Sequence, residues 1–192
     1  NSSTHEGLWE KKKFKGNELK GKNLGIIGFG NVGERFAYIA NALGMKVSVY
    51  SESFSTRKAN YPNITNISLN KLISESDIIS FHCRPPKDGQ PIISINELKM
   101  MKKNSVLINT ARGNLINESD LKFAIENDII KGAALDVYSQ EPAKNNLLFG
   151  TKNLLLTPHI AASTIEAQLV VAKQIALQIS NYLIKNEVVN SV

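Results

Sequence analysis

Short apolar runs alternate along the chain with segments whose apolar residues recur at helical spacing. The first run, residues 24–27, ends at a glycine. Helical spacing then continues over residues 32–43 until Gly44, with an apolar face formed by Val32, Phe36, Ile39, Ala40 and Leu43. A short apolar run predicts a strand, and the longer periodic segment predicts a helix. We therefore expect a strand, a tight turn and a helix in succession.

The same alternation continues to the end of the chain. It predicts further strands at residues 46–50, 64–67, 78–81, 105–109, 132–135 and 154–157, with helices at residues 69–75 and 95–101, after Asn117 and at 164–185. Most of the strands are continuous apolar runs, as in a parallel sheet that is covered on both faces. Strands separated by helices in this order predict an α/β fold with a doubly wound parallel sheet of the Rossmann type.

Two of the helices carry additional signals. Asn117 is expected to cap its helix, with Asp120 completing a variant of the capping box. The final helix, residues 164–185, is apolar on more than one face. We expect it to pack against more than one partner.

Composition places the chain in a common class. With 192 residues, 42% hydrophobic and 21% charged, the chain is typical of a globular protein with one core. Its single cysteine, Cys83, excludes an internal disulfide, and no Cys/His cluster has metal-ligand spacing, so no metal is expected. A reducing compartment follows, and the lack of a signal-like start or a membrane-length apolar run predicts a cytoplasmic protein without a membrane partner.

The net charge of +6 introduces nucleic acid as a candidate partner. The densest basic patch is formed by Lys11, Lys12, Lys13 and Lys15, and the other basic residues are scattered among acids. A solvated surface is favoured over a nucleic-acid interface, because binding to nucleic acid needs a concentrated basic face.

The turn at residues 28–33 reads Gly-Phe-Gly-Asn-Val-Gly. A lone G-x-G-x-x-G pattern is weak evidence, but this one follows a predicted strand and opens a predicted helix. In that context the first glycine permits the turn, the second lets backbone approach a pyrophosphate, and the third allows close packing of helix and strand. The helix N-terminus favours the phosphates. Dinucleotide binding is favoured over a turn that serves packing alone.

Three segments that follow strand ends each supply a polar group. Arg112 presents a planar fork that suits the carboxylate of a 2-oxo acid, with a surface salt bridge as the alternative. His159 alone is interpreted as a loop histidine; a carboxylate from Glu141 beside it would fix its tautomer and favour the protonated ring, as acid/base chemistry requires. Asp136 either ends its strand or accepts a hydrogen bond from the nicotinamide carboxamide.

The chain resembles the D-isomer-specific 2-hydroxyacid dehydrogenase family over nearly its whole length. The glycine turn carries the resemblance, together with residues 7–10, 18–22, 109–113, 132–142 and 158–168. The resemblance implies that Arg112 holds the substrate's carboxylate and C2 oxygen, that Glu141 and His159 form the acid/base pair, and that Asp136 orients the nicotinamide. The implied cofactor-binding residues are Gly28, Gly30, Asn31, Val32, Gly33, Ser51, Glu52, His82, Cys83, Thr110, Ala111, Asp136, His159 and Ala161.

The resemblance also implies a substrate class. Residues 163–168 and 188–192 are similar to the members that oxidise 3-phosphoglycerate to 3-phosphohydroxypyruvate in serine biosynthesis. Other D-2-hydroxyacid dehydrogenases and glyoxylate or hydroxypyruvate reductases remain alternatives. A corepressor-like protein, in which NAD binding tunes partner recruitment, is the alternative from another class. The complete set of Arg112, Glu141 and His159 favours the enzyme.

Cofactor choice depends on the end of the second strand. Ser51 stands where the family usually has an acid that binds the adenosine ribose, and Glu52 and Arg57 follow it. Glu52 would repel a ribose 2′-phosphate, which favours NAD and leaves NADP open.

The family's substrate domain precedes the region of Trp9, and almost nothing precedes that region here. The resemblance therefore predicts a cofactor domain without its substrate, or lid, domain. Residues 1–20 are expected to form an inter-domain linker and dimer arm, 21–185 the dinucleotide-binding domain, and 186–192 a segment that leads towards the substrate domain or a following domain. The expected assembly is a homodimer or homotetramer.

Overall fold

A computed structural model describes residues 1–52, 54 and 63–189 of the chain. A seven-stranded parallel sheet forms its centre, as the sequence predicts, with the spatial order β3-β2-β1-β4-β5-β6-β7. The strands are β1 Asn23–Ile27, β2 Lys46–Tyr50, β3 Thr65–Asn66, β4 Ile78–Phe81, β5 Val106–Asn109, β6 Gly132–Leu135 and β7 Leu154–Leu156. The strand order reverses between β1 and β4, which is where doubly wound sheets bind their ligands.

Helices lie before, between and after the strands. They are α1 Ser2–His5, α2 Asn31–Ala42, α3 Leu69–Glu75, α4 Ile95–Met100, α5 Glu118–Glu126 and α6 Ile165–Lys185, with 3₁₀ turns at Lys11–Lys13 and Gly113–Leu115. Within the described ranges, no helix has the length and apolar character needed to cross a membrane. The same ranges contain no group of three or more His, Cys, Asp or Glu residues arranged to hold a metal ion.

Two apolar clusters cover the sheet. Ile26, fully buried, belongs to the cluster that contains the buried residues of α2, whereas its neighbour Ile27 belongs to the larger cluster with α3 and α5. Successive residues of a strand point to opposite faces, so the two clusters lie on opposite sides of β1. Burial on both faces explains why β1 is a continuous apolar run.

The buried face of α2 matches the predicted face at Ala40 and in part at Phe36, but not at the other predicted residues. Val32, Ile39 and Leu43 are 66%, 55% and 53% exposed, while the buried residues of this helix are Gly33, Ala37 and Ala40. A Cβ on Gly33 would overlap the carbonyl oxygen of Gly28, so helix and strand touch along the small side chains. The close approach at the glycine turn, rather than the largest apolar residues, determines which face is buried.

The predicted capping box at α5 is only half correct. Asn117 Oδ1 accepts a hydrogen bond from the Asp120 N–H at 3.1 Å, as predicted. The Asp120 carboxylate, however, accepts from the Ile95 N–H at 2.9 Å, at the start of α4. A complete capping box lies at α4 instead, between Ser94 and Glu97. The Asp120 carboxylate therefore binds the start of α4 rather than the N-terminus of its own helix.

The final helix, α6, contains no buried residue. It begins after Thr164, whose hydroxyl accepts from the Ala167 N–H at 3.0 Å. Its apolar side chains, for example Leu169 and Leu183, are exposed, and so is Leu155 on the edge strand β7. The prediction that α6 packs against more than one partner stays a prediction.

Candidate active site

The glycine turn lies between the end of β1 and the start of α2. Gly28 has φ of +96°, which favours glycine, and a Cβ there would lie 2.5 Å from the carbonyl oxygen of His82. Gly33 packs directly on the Gly28 carbonyl. The fold itself therefore requires the first and third glycines.

The fold does not require a glycine at the middle position, residue 30. A Cβ on Gly30 would meet no atom within 4 Å, and its φ of −83° is open to any residue. The space beside Gly30 adjoins the first turn of α2, where Asn31 and Val32 are exposed. Backbone N–H groups and the positive end of a helix bind phosphate, so this space fits the pyrophosphate of a dinucleotide.

Ser51 and Glu52 follow the end of β2, and their predicted contact with the cofactor's ribose stays a prediction. The Asn66 side chain holds the backbone of Ser51: Oδ1 accepts from the Ser51 N–H at 3.1 Å, and Nδ2 donates to the Ser51 carbonyl at 3.2 Å. Glu52 is exposed. Arg57, the alternative phosphate partner, lies outside the described residues.

His82 and Cys83 form the floor beneath the glycine turn. The His82 N–H donates to the Ile27 carbonyl at 2.8 Å, and its ring packs on Phe36 with centroids 5.1 Å apart. Burial lowers the pKa of His82 to about 4 and raises the pKa of the Cys83 thiol to about 11. Both side chains are therefore uncharged at neutral pH.

The turn after β5 carries Arg112 on the surface. Asn109, 1% exposed, holds the turn from within: Nδ2 donates to the Arg112 carbonyl at 2.8 Å, and Oδ1 accepts from the Ala111 N–H at 3.0 Å. Arg112 Nη1 donates to the Ala111 carbonyl at 2.6 Å. Thr110 is exposed, while Ala111 packs on the larger core cluster. Sequence reasoning missed Asn109; the signal was an amide at the end of an apolar strand.

Glu141 and His159 are in contact, as the sequence predicts. His159 Nδ1 lies 2.6 Å from Glu141 Oε2, and the Tyr138 N–H donates to Glu141 Oε1 at 3.0 Å. The hydrogen bond with His159, followed by that from Tyr138, lowers the pKa of Glu141. The carboxylate is thus ionised at neutral pH and occupies Nδ1, which leaves Nε2 as the ring atom for proton exchange.

The backbone of His159 is left-handed, with φ of +54°. Asp136, 3% exposed, binds the chain on both sides of it: Oδ1 accepts from the Thr157 hydroxyl at 2.5 Å and the Ile160 N–H at 2.8 Å, and Oδ2 accepts from the Ala161 N–H at 2.8 Å. Burial raises the pKa of Asp136, but these hydrogen bonds outweigh burial and leave the pKa lowered. Its predicted contact with nicotinamide stays a prediction.

A cavity of about 620 Å³ adjoins the acid/base pair. Its lining residues are Tyr138, Glu141, Pro142, Ala143, Phe149, Leu156, Thr157, Pro158 and His159. Apolar walls with a few polar groups are typical of small-molecule sites.

Comparison with known proteins points to one family. Residues 1–161 match the family described as D-isomer specific 2-hydroxyacid dehydrogenase, NAD binding domain. The chain is 40% identical over 184 residues to a D-3-phosphoglycerate dehydrogenase of Synechocystis, covering 96% of this chain and 33% of the relative. It is 39% identical over 168 residues to a glyoxylate reductase of Thermococcus litoralis, covering 88% of this chain and 51% of the relative.

A solved structure shares the fold over the whole chain. An acyclic imino acid reductase in complex with NADPH and D-Arg superposes with a TM-score of 0.88 at 34% identity, covering 100% of this chain and 60% of that one. In sequence, the chain spans about a third of the length of the Synechocystis phosphoglycerate dehydrogenase and about half that of the Thermococcus glyoxylate reductase.

Proposed function

The chain belongs to the D-isomer-specific 2-hydroxyacid dehydrogenase family through its NAD-binding domain, and we propose that it serves an oxidoreductase that transfers hydride between NAD and a D-2-hydroxy acid. The 2.6 Å contact between Glu141 and His159 carries this proposal. It pairs an ionised carboxylate with an imidazole at the carboxyl ends of parallel strands, where such sheets place their chemistry.

Each group of the site has a role in oxidation of the substrate. The glycine turn would hold NAD, which would supply the acceptor for the hydride from C2. His159 Nε2 removes the proton of the C2 hydroxyl, and Glu141 stabilises the imidazolium that results. General base catalysis of this kind contributes roughly 10²–10⁴-fold to the rate. Arg112 binds the substrate carboxylate through two parallel N–H groups, which orients C2 towards the cofactor.

NAD is the preferred cofactor in this proposal. The Glu52 carboxylate follows the ribose end of β2 and is exposed, so a ribose 2′-phosphate would meet a like charge. The NADPH of the imino acid reductase shows that this sheet architecture also accommodates the phosphorylated cofactor in another protein. Binding of NADP by this chain thus depends on the residues around Ser51.

We propose 3-phosphoglycerate as the substrate, with 3-phosphohydroxypyruvate as the product. The similarity of residues 163–168 and 188–192 to that branch of the family supports this choice, as does the identity with the Synechocystis phosphoglycerate dehydrogenase. Such an enzyme belongs to serine biosynthesis in the cytoplasm. Glyoxylate and hydroxypyruvate are the alternative 2-oxo acids, since a glyoxylate reductase is nearly as similar.

The proposed organisation follows the family. Residues 21–185 bind the dinucleotide, residues 1–20 link domains and form an arm between subunits, and residues 186–192 lead towards another domain. The proposed assembly is a homodimer or homotetramer. Exposure of Trp9 (86%) and the absence of any buried residue in α6 support contact with further protein surface.

The proposal is tested by following NADH formation in the longest natural chain that contains this sequence. With NAD, 3-phosphoglycerate is expected to give the highest kcat/KM among 3-phosphoglycerate, glycolate and glycerate. A preference for glycolate or glycerate would correct the substrate but keep the reaction. NAD binding with no oxidation of any 2-hydroxy acid would contradict the enzyme and favour the corepressor-like alternative.

A further inference from the structure

A single carboxylate, that of Glu118, fastens both ends of the loop that contains Glu141. Glu118 is 9% exposed; its Oε1 accepts from the Ser139 N–H at 2.6 Å, and its Oε2 accepts from Asn146 Nδ2 at 2.8 Å. Ser139 precedes Glu141 and Asn146 follows it along the chain. The loop is therefore closed on one buried charge.

The contact between Glu118 and Asn146 has a fixed orientation. Glu118 lies in the first turn of α5, where the helix dipole stabilises a negative charge. Asn146 Oδ1 accepts from the Leu148 N–H at 2.9 Å, so its NH₂ group is the one that faces Glu118. The Asn146 side chain therefore donates to Glu118 and accepts from Leu148.

The entry to the loop is also packed against the turn that bears Arg112. A Cβ on Gly113 would overlap the carbonyl group of Tyr138 and come within 2.7 Å of the Ser139 nitrogen. Glu118, on α5, accepts a hydrogen bond from the same Ser139 N–H. The two turns that carry Arg112 and Glu141 are thereby held at a fixed separation.

We propose that Glu118 is a positioning residue that sets the contact between Glu141 and His159. Its bonds to Ser139 and Asn146 together close the loop, which holds the neighbouring Tyr138 N–H against the Glu141 carboxylate. Glu118 touches neither substrate nor cofactor in this account. The inference rests on the proposed function only for its activity readout.

The test is a reciprocal exchange of polar groups. In Glu118→Gln the new amide can accept from Ser139, but its NH₂ meets the NH₂ of Asn146, so one bond is lost. In Asn146→Asp two carboxylates face each other. The double variant Glu118→Gln/Asn146→Asp keeps the bond from Ser139 and restores the other bond in the opposite direction, because the new amide donates to the new carboxylate. A double-mutant cycle isolates this pairing from other effects of each change.

The first readout is the titration of the Glu141 side-chain carboxyl by ¹³C NMR on this chain. Contacts from His159 and Tyr138 lower the pKa of Glu141. Glu118→Gln is expected to raise that pKa, and the double variant to restore it. Ile125→Val, which trims the buried face of α5 away from the loop, is the control for lost stability and is expected to leave the pKa unchanged.

The second readout is turnover in the longest natural chain that contains this sequence. Glu118→Gln is expected to lower kcat roughly 10–100-fold with the Kd for NADH unchanged, because small misplacement of a catalytic group has effects of that size. The double variant is expected to recover most of it. An unchanged Glu141 titration in Glu118→Gln, or no recovery in the double variant, would overturn the proposal. Loss of the proposed function itself would leave the NMR result standing.

Discussion

The carboxylate of Asp136 fixes the backbone on the carboxyl side of His159. It accepts hydrogen bonds from the N–H groups of Ile160 and Ala161, both at 2.8 Å, while His159 holds φ of +54°. A left-handed conformation is uncommon outside glycine and persists where surrounding contacts impose it. The direction of the imidazole thus depends on a buried carboxylate one strand away.

Replacement of Asp136 tests this dependence. Asp136→Asn leaves one oxygen acceptor and sets an NH₂ group against the Ala161 N–H. We expect the free energy of unfolding to fall by about 1–3 kcal/mol, as for a buried hydrogen-bonding group left without its partner. Urea denaturation measures the change. Asp128→Asn, on the surface, is the matched control and should leave the stability unchanged.

The same residue contributes to the acid stability of the domain. The folded-state pKa values of Asp136 and Glu141 lie below their ordinary values, so their stabilisation is complete above those ordinary values and is lost as the pH falls through the folded pKa values. Unfolding free energies measured between about pH 6 and pH 2 should therefore decline. The decline should be shallower in Asp136→Asn; an identical slope in the variant would show that Asp136 makes no such contribution.

Gly30→Val tests the cofactor site without disturbing the fold. A Cβ on Gly30 meets no protein atom within 4 Å, so the melting temperature should stay near that of the parent. The side chain would fill the space assigned to the pyrophosphate, and calorimetry should show at least a roughly tenfold loss of NADH affinity. Gly16→Val, equally unobstructed, is the control. Full NADH affinity in Gly30→Val would place the phosphates elsewhere.

Cofactor choice should respond to the charge at Glu52. The parent is expected to bind NADH more tightly than NADPH, and Glu52→Arg is expected to improve NADPH binding by replacing repulsion with a phosphate partner. Fluorescence titration with both cofactors measures the ratio. Glu126→Arg, an exposed change of the same charge on α5, should leave it unaffected. Tighter binding of NADPH by the parent would reverse the assignment.

We also expect this chain to self-associate. Leu169, Ile175 and Leu183 of α6 are 58%, 51% and 75% exposed, and Trp9 is 86% exposed. Large apolar side chains left exposed in this number indicate contact with other protein. Sedimentation velocity at micromolar concentration should detect a dimer or tetramer that Leu169→Glu weakens and Lys173→Glu does not. A monomer alone would contradict the prediction.

The sequence predicts those parts of the candidate site that have local signatures. The glycine turn is a contiguous pattern, and Glu141 and His159 each follow a strand end, so parallel strands bring them to one edge. The structure adds residues that act between distant segments, such as Asn109 and Glu118, whose partners are backbone groups of other turns. Backbone groups are the same at every position, so a sequence does not reveal which of them a buried polar side chain will meet.

The same limit explains the errors in α2 and α5. Periodicity ranks Val32 above Gly33, but contact with the Gly28 carbonyl selects the smaller residue for the interior. The capping-box pattern predicts that the Asp120 carboxylate accepts from the N–H of Asn117. It accepts instead from the Ile95 N–H at the start of α4. In both helices, a contact outside the local pattern determines which residue is buried or which group is bonded.

Proton transfer by His159 is tested by removing its imidazole in His159→Ala. In the longest natural chain that contains this sequence, kcat for oxidation of 3-phosphoglycerate should fall by about 10²–10⁴-fold, while the Kd for NADH should stay nearly unchanged. Lys99→Ala, on the surface of α4, should keep the parent's kcat and Kd. Parental turnover in His159→Ala would contradict the account.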